Sequence, residues 1–164
     1  METSAGPTMQ DDYAAAESVL ASATARFPEN WDLRLRRVES LLVSNQLDAA
    51  RDLVASYSGL TDSEEASGDP GPRRRLRLIK AFLATLDGGL IVLEGLLQAI
   101  DEESEIAEAE RAFYRGLLAE MRDNARGATV FSELEGAVLG LPNEPLPRVV
   151  FAARLNAAGA YAKA

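Results

Sequence analysis

AESVLASATARFPENWDLRLRRVESLLVSNQLDAARDLVASY, residues 16–57, decides the fold. A ladder of small and medium apolar residues opens it and returns near its end. Ala16, Leu20, Ala23 and Pro28 are spaced 4, 3 and 5 apart, and Ala50, Val54 and Tyr57 repeat the first two intervals. Val92, Leu96, Ala99 and Ser104 repeat all three, as do Val130, Leu134, Ala137 and Pro142. Intervals of 4 and 3 put side chains on one helix face, and a following proline ends the helix. Four copies of one ladder predict an α-solenoid, in which each helix packs on its predecessor.

Between the first two ladders, Phe27 to Asn30 read as a turn. Asn30 can cap a helix that starts at Trp31, carries Leu33, Leu35, Val38, Leu41 and Leu42, and ends near Ser44 to Gln46. Leu47 to Tyr57 form its partner, stopped by Gly59. Toward the N-terminus, residues 1–9 are expected to be a disordered lead, and Asp11 and Asp12 favour the start of a helix running to Arg26. Toward the C-terminus, TDSEEASGDPGP (61–72) predicts a mobile loop. Helical spacing returns over 73–86 and, past a tight Asp87-Gly88-Gly89 turn, over 90–100. A longer helix over 103–122 shows Ile106, Phe113, Leu117 and Met121 on its apolar face. After a turn at 123–128 come a short helix over 130–141, a rigid LPNEPLP connector (141–147) and a last helix over 149–162. Eight helices and no strand predict an all-α protein with one helical domain over 10–164.

Composition narrows the chemistry. A formal charge of −9 and the lack of any basic footprint beyond one cluster argue against nucleic-acid binding. Fifteen of the seventeen basic residues are Arg, which is read as a GC-rich genome. There is no Cys and no His, so thiolate nucleophiles, disulfides and the commonest general base and metal ligand are missing. The most apolar run, Gly88 to Ile100, is too short for a bilayer and contains Glu94. No membrane contact, no cofactor and no metal are expected, nor a signal peptide, and the location is expected to be cytoplasmic.

On these residues the chain resembles a tetratricopeptide-repeat protein. The first unit starts at Trp31, with Arg34, Arg37, Val38 and Leu41, then Ala50, Val54 and Tyr57. The second starts near Arg73, with Leu76, Ile79, Lys80 and Leu83, then Val92, Leu96 and Ala99; the third starts near Ala107, with Phe113, Tyr114 and Leu117, then Val130, Leu134, Ala137 and Pro142. The likeness is good over 11–57 and degenerate over 73–162: Tyr114 and Lys80 stand where a small residue is usual, Arg34 and Glu110 where a large apolar one is. It implies a right-handed α-solenoid of antiparallel helix pairs: three units, a lone N-terminal helix and a C-terminal capping helix. By the family's register, Leu35, Arg36 and Glu39 line the concave groove from the first unit, and Arg74, Arg77 and Ala81 from the second. The function implied is a non-catalytic module that binds a peptide or protein segment there, as an adaptor, scaffold or chaperone.

The remaining motifs each have two readings. Arg73, Arg74, Arg75 and Arg77 could hold a carboxylate through bidentate hydrogen bonds, or could be a solvated helix start paired with Asp62, Glu64, Glu65 and Asp69. Asp101, Glu102, Glu103, Glu105, Glu108 and Glu110 could be a docking patch for a basic partner or a divalent-cation site, but acids also belong at a helix N-terminus, and calcium-loop spacing is missing. Gly88-Gly89 lacks any phosphate-loop pattern, Gly136 and Gly140 signal close helix packing, and Trp31 is a packing anchor or an interface residue. The Ala-rich last helix is a plausible surface for homo-oligomers. An accessory domain of a polysaccharide-related glycosyltransferase or methyltransferase is an alternative, and so is an enzyme built on carboxylate pairs.

Overall fold

The computed structural model describes residues 9–56, 70–123 and 128–162. Among the described residues there are eight α-helices and no strand. They are α1 (Met9–Arg26), α2 (Trp31–Val43), α3 (Leu47–Ser56), α4 (Pro70–Asp87), α5 (Leu90–Gln98), α6 (Glu105–Asp123), α7 (Ala128–Gly140) and α8 (Pro145–Ala162). The helices group into two compact units, Met1–Leu76 and Arg77–Ala164, divided within α4.

In the first unit α2 packs on both α1 and α3. Its ends follow from local chemistry. Asn30 has extended backbone, and its Oδ1 accepts a hydrogen bond from the Leu33 amide at 3.1 Å, so one orphan donor of α2 is satisfied. At the other end Asn45 takes the left-handed conformation (φ 62°) that asparagine tolerates. The Asn45 amide donates to the Leu42 carbonyl (3.1 Å) and the Gln46 amide to the Leu41 carbonyl (2.8 Å), the paired bonds of a Schellman motif. Leu35, Val38, Leu41, Leu42 and Ala50 are buried.

In the second unit α6 packs on α5 and α7, and α7 on α8. Ala107, Phe113, Tyr114, Leu117 and Leu118 of α6 are buried with Val130, Leu134 and Ala137 of α7. Two glycines bring α6 and α7 together. A Cβ on Gly116 would meet Leu134 Cδ2 at 2.9 Å, and one on Gly140 would run into Ala109 Cβ, whereas Gly136 faces open space. Only the second glycine of the Gly136/Gly140 spacing therefore serves close packing. Ser104, which takes the ladder's proline position, caps α6 through a bond from the Ala107 amide to its Oγ (3.0 Å).

Several boundaries differ from the sequence reading. Residues 70–72 open α4 instead of closing a loop, because proline in a first turn gives up an amide that has no partner there anyway. The same rule starts α8 at Pro145, so the 141–147 connector is shorter than expected. The ladder holds its face at Ala50 and along α7, but not on α5: Leu93 is buried there, while Val92 and Ala99 are exposed. Six of its nine residues are Leu, Ile or Val spread around the helix, so Glu94 and Gln98 give little contrast to fix a face. Ile106 also lies exposed. Tyr57, Gly59 and the loop as far as residue 69 fall outside the described residues, as do residues 1–8 of the lead.

Candidate functional site

The charged cluster of the first unit is built on α2 and the first turns of α4. Asp32 and Arg36 lie one turn apart on α2, and Arg36 Nε donates to Asp32 Oδ2 at 3.1 Å. Arg75 Nη1 donates to the other oxygen, Oδ1. Arg75 Nε also faces Glu39 Oε2 at 3.6 Å, and both of these side chains are nearly buried. Arg34 stacks on Trp31, with its guanidinium carbon 4.8 Å from the ring centroid, so Trp31 anchors a cation as well as packing. Arg73 is exposed and Arg74 half-buried beside this cluster. Among the described residues, Arg36, Arg73, Arg74 and Arg75 against Asp32 and Glu39 leave a cationic surplus, suited to carboxylates.

Of the residues expected on a groove, Leu35, Arg36, Glu39 and Arg74 belong to the first unit. Leu35 is fully buried and Glu39 is turned inward with Arg75, so Arg36 and Arg74 are the pair that keeps accessible surface. Arg77 and Ala81 belong to the second unit. Ala81 is fully buried. Arg77 is committed to α6: its Nε and Nη2 donate to Glu110 Oε2 and Oε1 at 2.6 and 2.7 Å, a bidentate pair. Tyr114 Oη donates to Glu110 Oε2 at 2.5 Å. Burial, and then the Glu110 carboxylate, push the Tyr114 phenol well above its ordinary range; the hydrogen bond to Glu110 raises Arg77 further. Asp32 and Arg75 went unnoticed as partners. The available signal was spacing: Arg75 sits one turn before the buried Leu78 and Ile79, on the inward stripe of α4. The acids at 62, 64, 65 and 69 that offered the alternative pairing lie outside the described residues.

A groove of about 410 Å³ runs between α1, α2 and α3, lined by Glu17, Arg37, Gln46, Asp52, Leu53 and Ser56 among others. Arg37 Nε donates to Glu17 Oε1 across it at 2.7 Å. The acidic block is partly occupied. Arg115 bridges Glu108 (2.6 Å) and Glu133 (3.1 Å), and its hydrogen bond holds the Glu108 carboxyl below the usual range. Arg111 donates to the Glu102 and Ile100 carbonyls. Asp101, Glu102 and Glu105 make no ion pair among the described residues.

Residues 8–66 match a family model described as a tetratricopeptide repeat. The match takes in α1, α2 and α3, the stretch where the sequence resemblance is good. With eight helices and no strand among the described residues, the chain is consistent with a tetratricopeptide-like helical repeat protein. No curated protein and no solved structure matches the chain. Tetratricopeptide domains are typically non-catalytic modules for protein–protein interaction. No helix of the described residues is long and apolar enough to cross a membrane.

Proposed function

We propose that this chain is an adaptor or chaperone-like module that holds an acidic or carboxylate-bearing protein segment on its helical face, with Arg36 and Arg74 as the contacting cations. The observation that carries the proposal is the tetratricopeptide repeat at 8–66 with a cationic cluster on its second helix and the start of α4. Asp32 steadies Arg36 at 3.1 Å, so less side-chain freedom is lost on binding. Leu35, Glu39 and Arg75 support this face from inside, and the cysteine-free sequence suits a reducing, cytoplasmic setting. The test compares wild type with Arg36→Ala/Arg74→Ala for binding of a fluorescent peptide with a glutamate-rich C-terminal end. A loss of about tenfold, shrinking with added salt, supports the reading. Equal binding by both proteins moves the site elsewhere.

A second reading is self-association through α8, whose residues 152, 153 and 155–157 are exposed. Sedimentation of the full chain across a concentration series tests it.

A further inference from the structure

A second surface lies on α5, in the other unit. Ile91 is 84 % exposed, and Leu86 and Val92 are exposed at 45 % and 47 %. Leu86 lies in the last turn of α4, and the turn at Gly88 (φ 71°) and Gly89 brings the chain straight into α5. Ile91, Gly95 and Gln98 follow at intervals of 4 and 3, so they form one outward stripe flanked by Val92 and Ala99. Nothing lies within 4 Å of the position a Gly95 Cβ would take, so the stripe is open at its middle. Scattered exposed aliphatics are ordinary, but Ile91 and Val92 lie one turn from Gly95 and leave a continuous exposed apolar face on α5.

The stripe ends in charge. Asp101, Glu102 and Glu103 follow α5 directly and are all exposed, at the end of the helix whose dipole is negative. Their backbone is pinned: Arg111 donates to the carbonyls of Ile100 (3.4 Å) and Glu102. Arg111 approaches Glu103 Oε1 only at 4.0 Å, and that side chain remains 94 % exposed. These carboxylates thus stand solvated at the end of an apolar face, on a backbone held at Ile100 and Glu102. A second copy of the chain fits poorly, since each copy carries a net −9 and this end of the face is itself acidic. The complementary occupant has aliphatic residues on one side and cations at one end.

We infer that the α5 face from Ile91 to Ala99, with Asp101 to Glu103 at its end, docks a cationic amphipathic helix of a protein partner. Apolar side chains of that helix pack over Gly95 beside Ile91 and Val92, and its Lys or Arg residues meet the three carboxylates. This surface is independent of the arginine face of the first unit.

The test is to pan a random-peptide display library against the full chain and titrate the enriched peptides by fluorescence polarisation. The expected peptides carry aliphatics at helical spacing with Lys or Arg gathered at one end. Ile91→Ser/Val92→Ser weakens them about tenfold or more, and Asp101→Asn/Glu102→Gln/Glu103→Gln weakens them and flattens the salt dependence. Because these side chains are exposed, circular dichroism of both variants should match wild type. Arg36→Ala/Arg74→Ala should bind as wild type does, which separates this surface from the one proposed above. No enrichment, enrichment of acidic peptides, or peptides insensitive to the Ile91/Val92 change would overturn the inference. So would sedimentation showing a dimer that Ile91→Ser abolishes, since the occupant is then a second copy.

Discussion

Removing Arg77 leaves a carboxylate stranded. Glu110 is 1 % exposed, and its two oxygens are held by the Arg77 fork at 2.6 and 2.7 Å and by Tyr114 Oη at 2.5 Å. In Arg77→Met the methionine chain keeps most of the packing, while Glu110 retains one neutral donor and no counter-charge. Breaking a buried pair from one side costs about 3–5 kcal/mol. The Arg77 side chain is 23 % exposed, so water can reach part of the vacated space, and the lower end, about 3 kcal/mol, is the expected loss. For a domain of this size that lowers Tm by roughly 6–12 °C. Glu110→Met alone should cost less, because Arg77 can swing toward solvent. The double variant Arg77→Met/Glu110→Met removes both charges and leaves only the Tyr114 hydroxyl without its acceptor, about 1–3 kcal/mol. It should therefore be more stable than Arg77→Met alone. Urea denaturation followed by circular dichroism, run as a double-mutant cycle, measures each corner. If Arg77→Met stays within about 0.5 kcal/mol of wild type, or the two substitutions simply add, the pair is not a buried electrostatic unit and the reasoning fails.

Two further outcomes follow from the same helices. The Tyr114 phenol is raised by burial, so the fold keeps a proton that the unfolded chain releases above about pH 10; stability from Tyr114 is full below that pH and declines as pH rises above it. Alkaline unfolding should accordingly be steeper in wild type than in Tyr114→Phe, and equal slopes would refute this. On α7, Gly136→Ala should stabilise by roughly 0.5–1 kcal/mol, since its Cβ meets open space, whereas Gly140→Ala should destabilise by about 1–3 kcal/mol because it drives α7 off Ala109. Melting temperatures moving in the same direction for both would mean the α6–α7 approach is misread.

Most helices were legible because their ends are written in short-range chemistry. Asn30, Asn45 and Ser104 cap or terminate helices by bonds within a few residues, and the ladder residues Ala50, Val130, Leu134 and Ala137 are buried as their spacing demands. The α5 face was not legible, because apolar residues surround that helix and the side that turns inward depends on what α6 offers. The polar pairings were not legible either. Asp32 and Arg75 are 43 positions apart and Arg77 and Glu110 are 33 apart, and no local pattern joins them. The cluster at Arg73 to Arg77 reads as one basic run, yet helical geometry sends Arg75 and Arg77 to different acids and leaves Arg73 exposed and Arg74 half-buried.

Two of the positions that depart from the repeat pattern share one physical account. Glu110 stands where a large apolar residue is usual and Tyr114 where a small one is, and in the fold these two side chains are one turn apart and bonded to each other. Either alone would be costly: a bare Glu110 would be a buried charge, and a Tyr114 hydroxyl without Glu110 would lack its acceptor. Together with Arg77 they satisfy one another, so each departure makes the other tolerable. Pattern-based resemblance scores each position separately and registers two mismatches, Glu110 and Tyr114, while the chain carries one packing unit completed by Arg77. That accounts for an α6 that departs from the repeat pattern and is still closely packed in structure, with Arg77 held by Glu110.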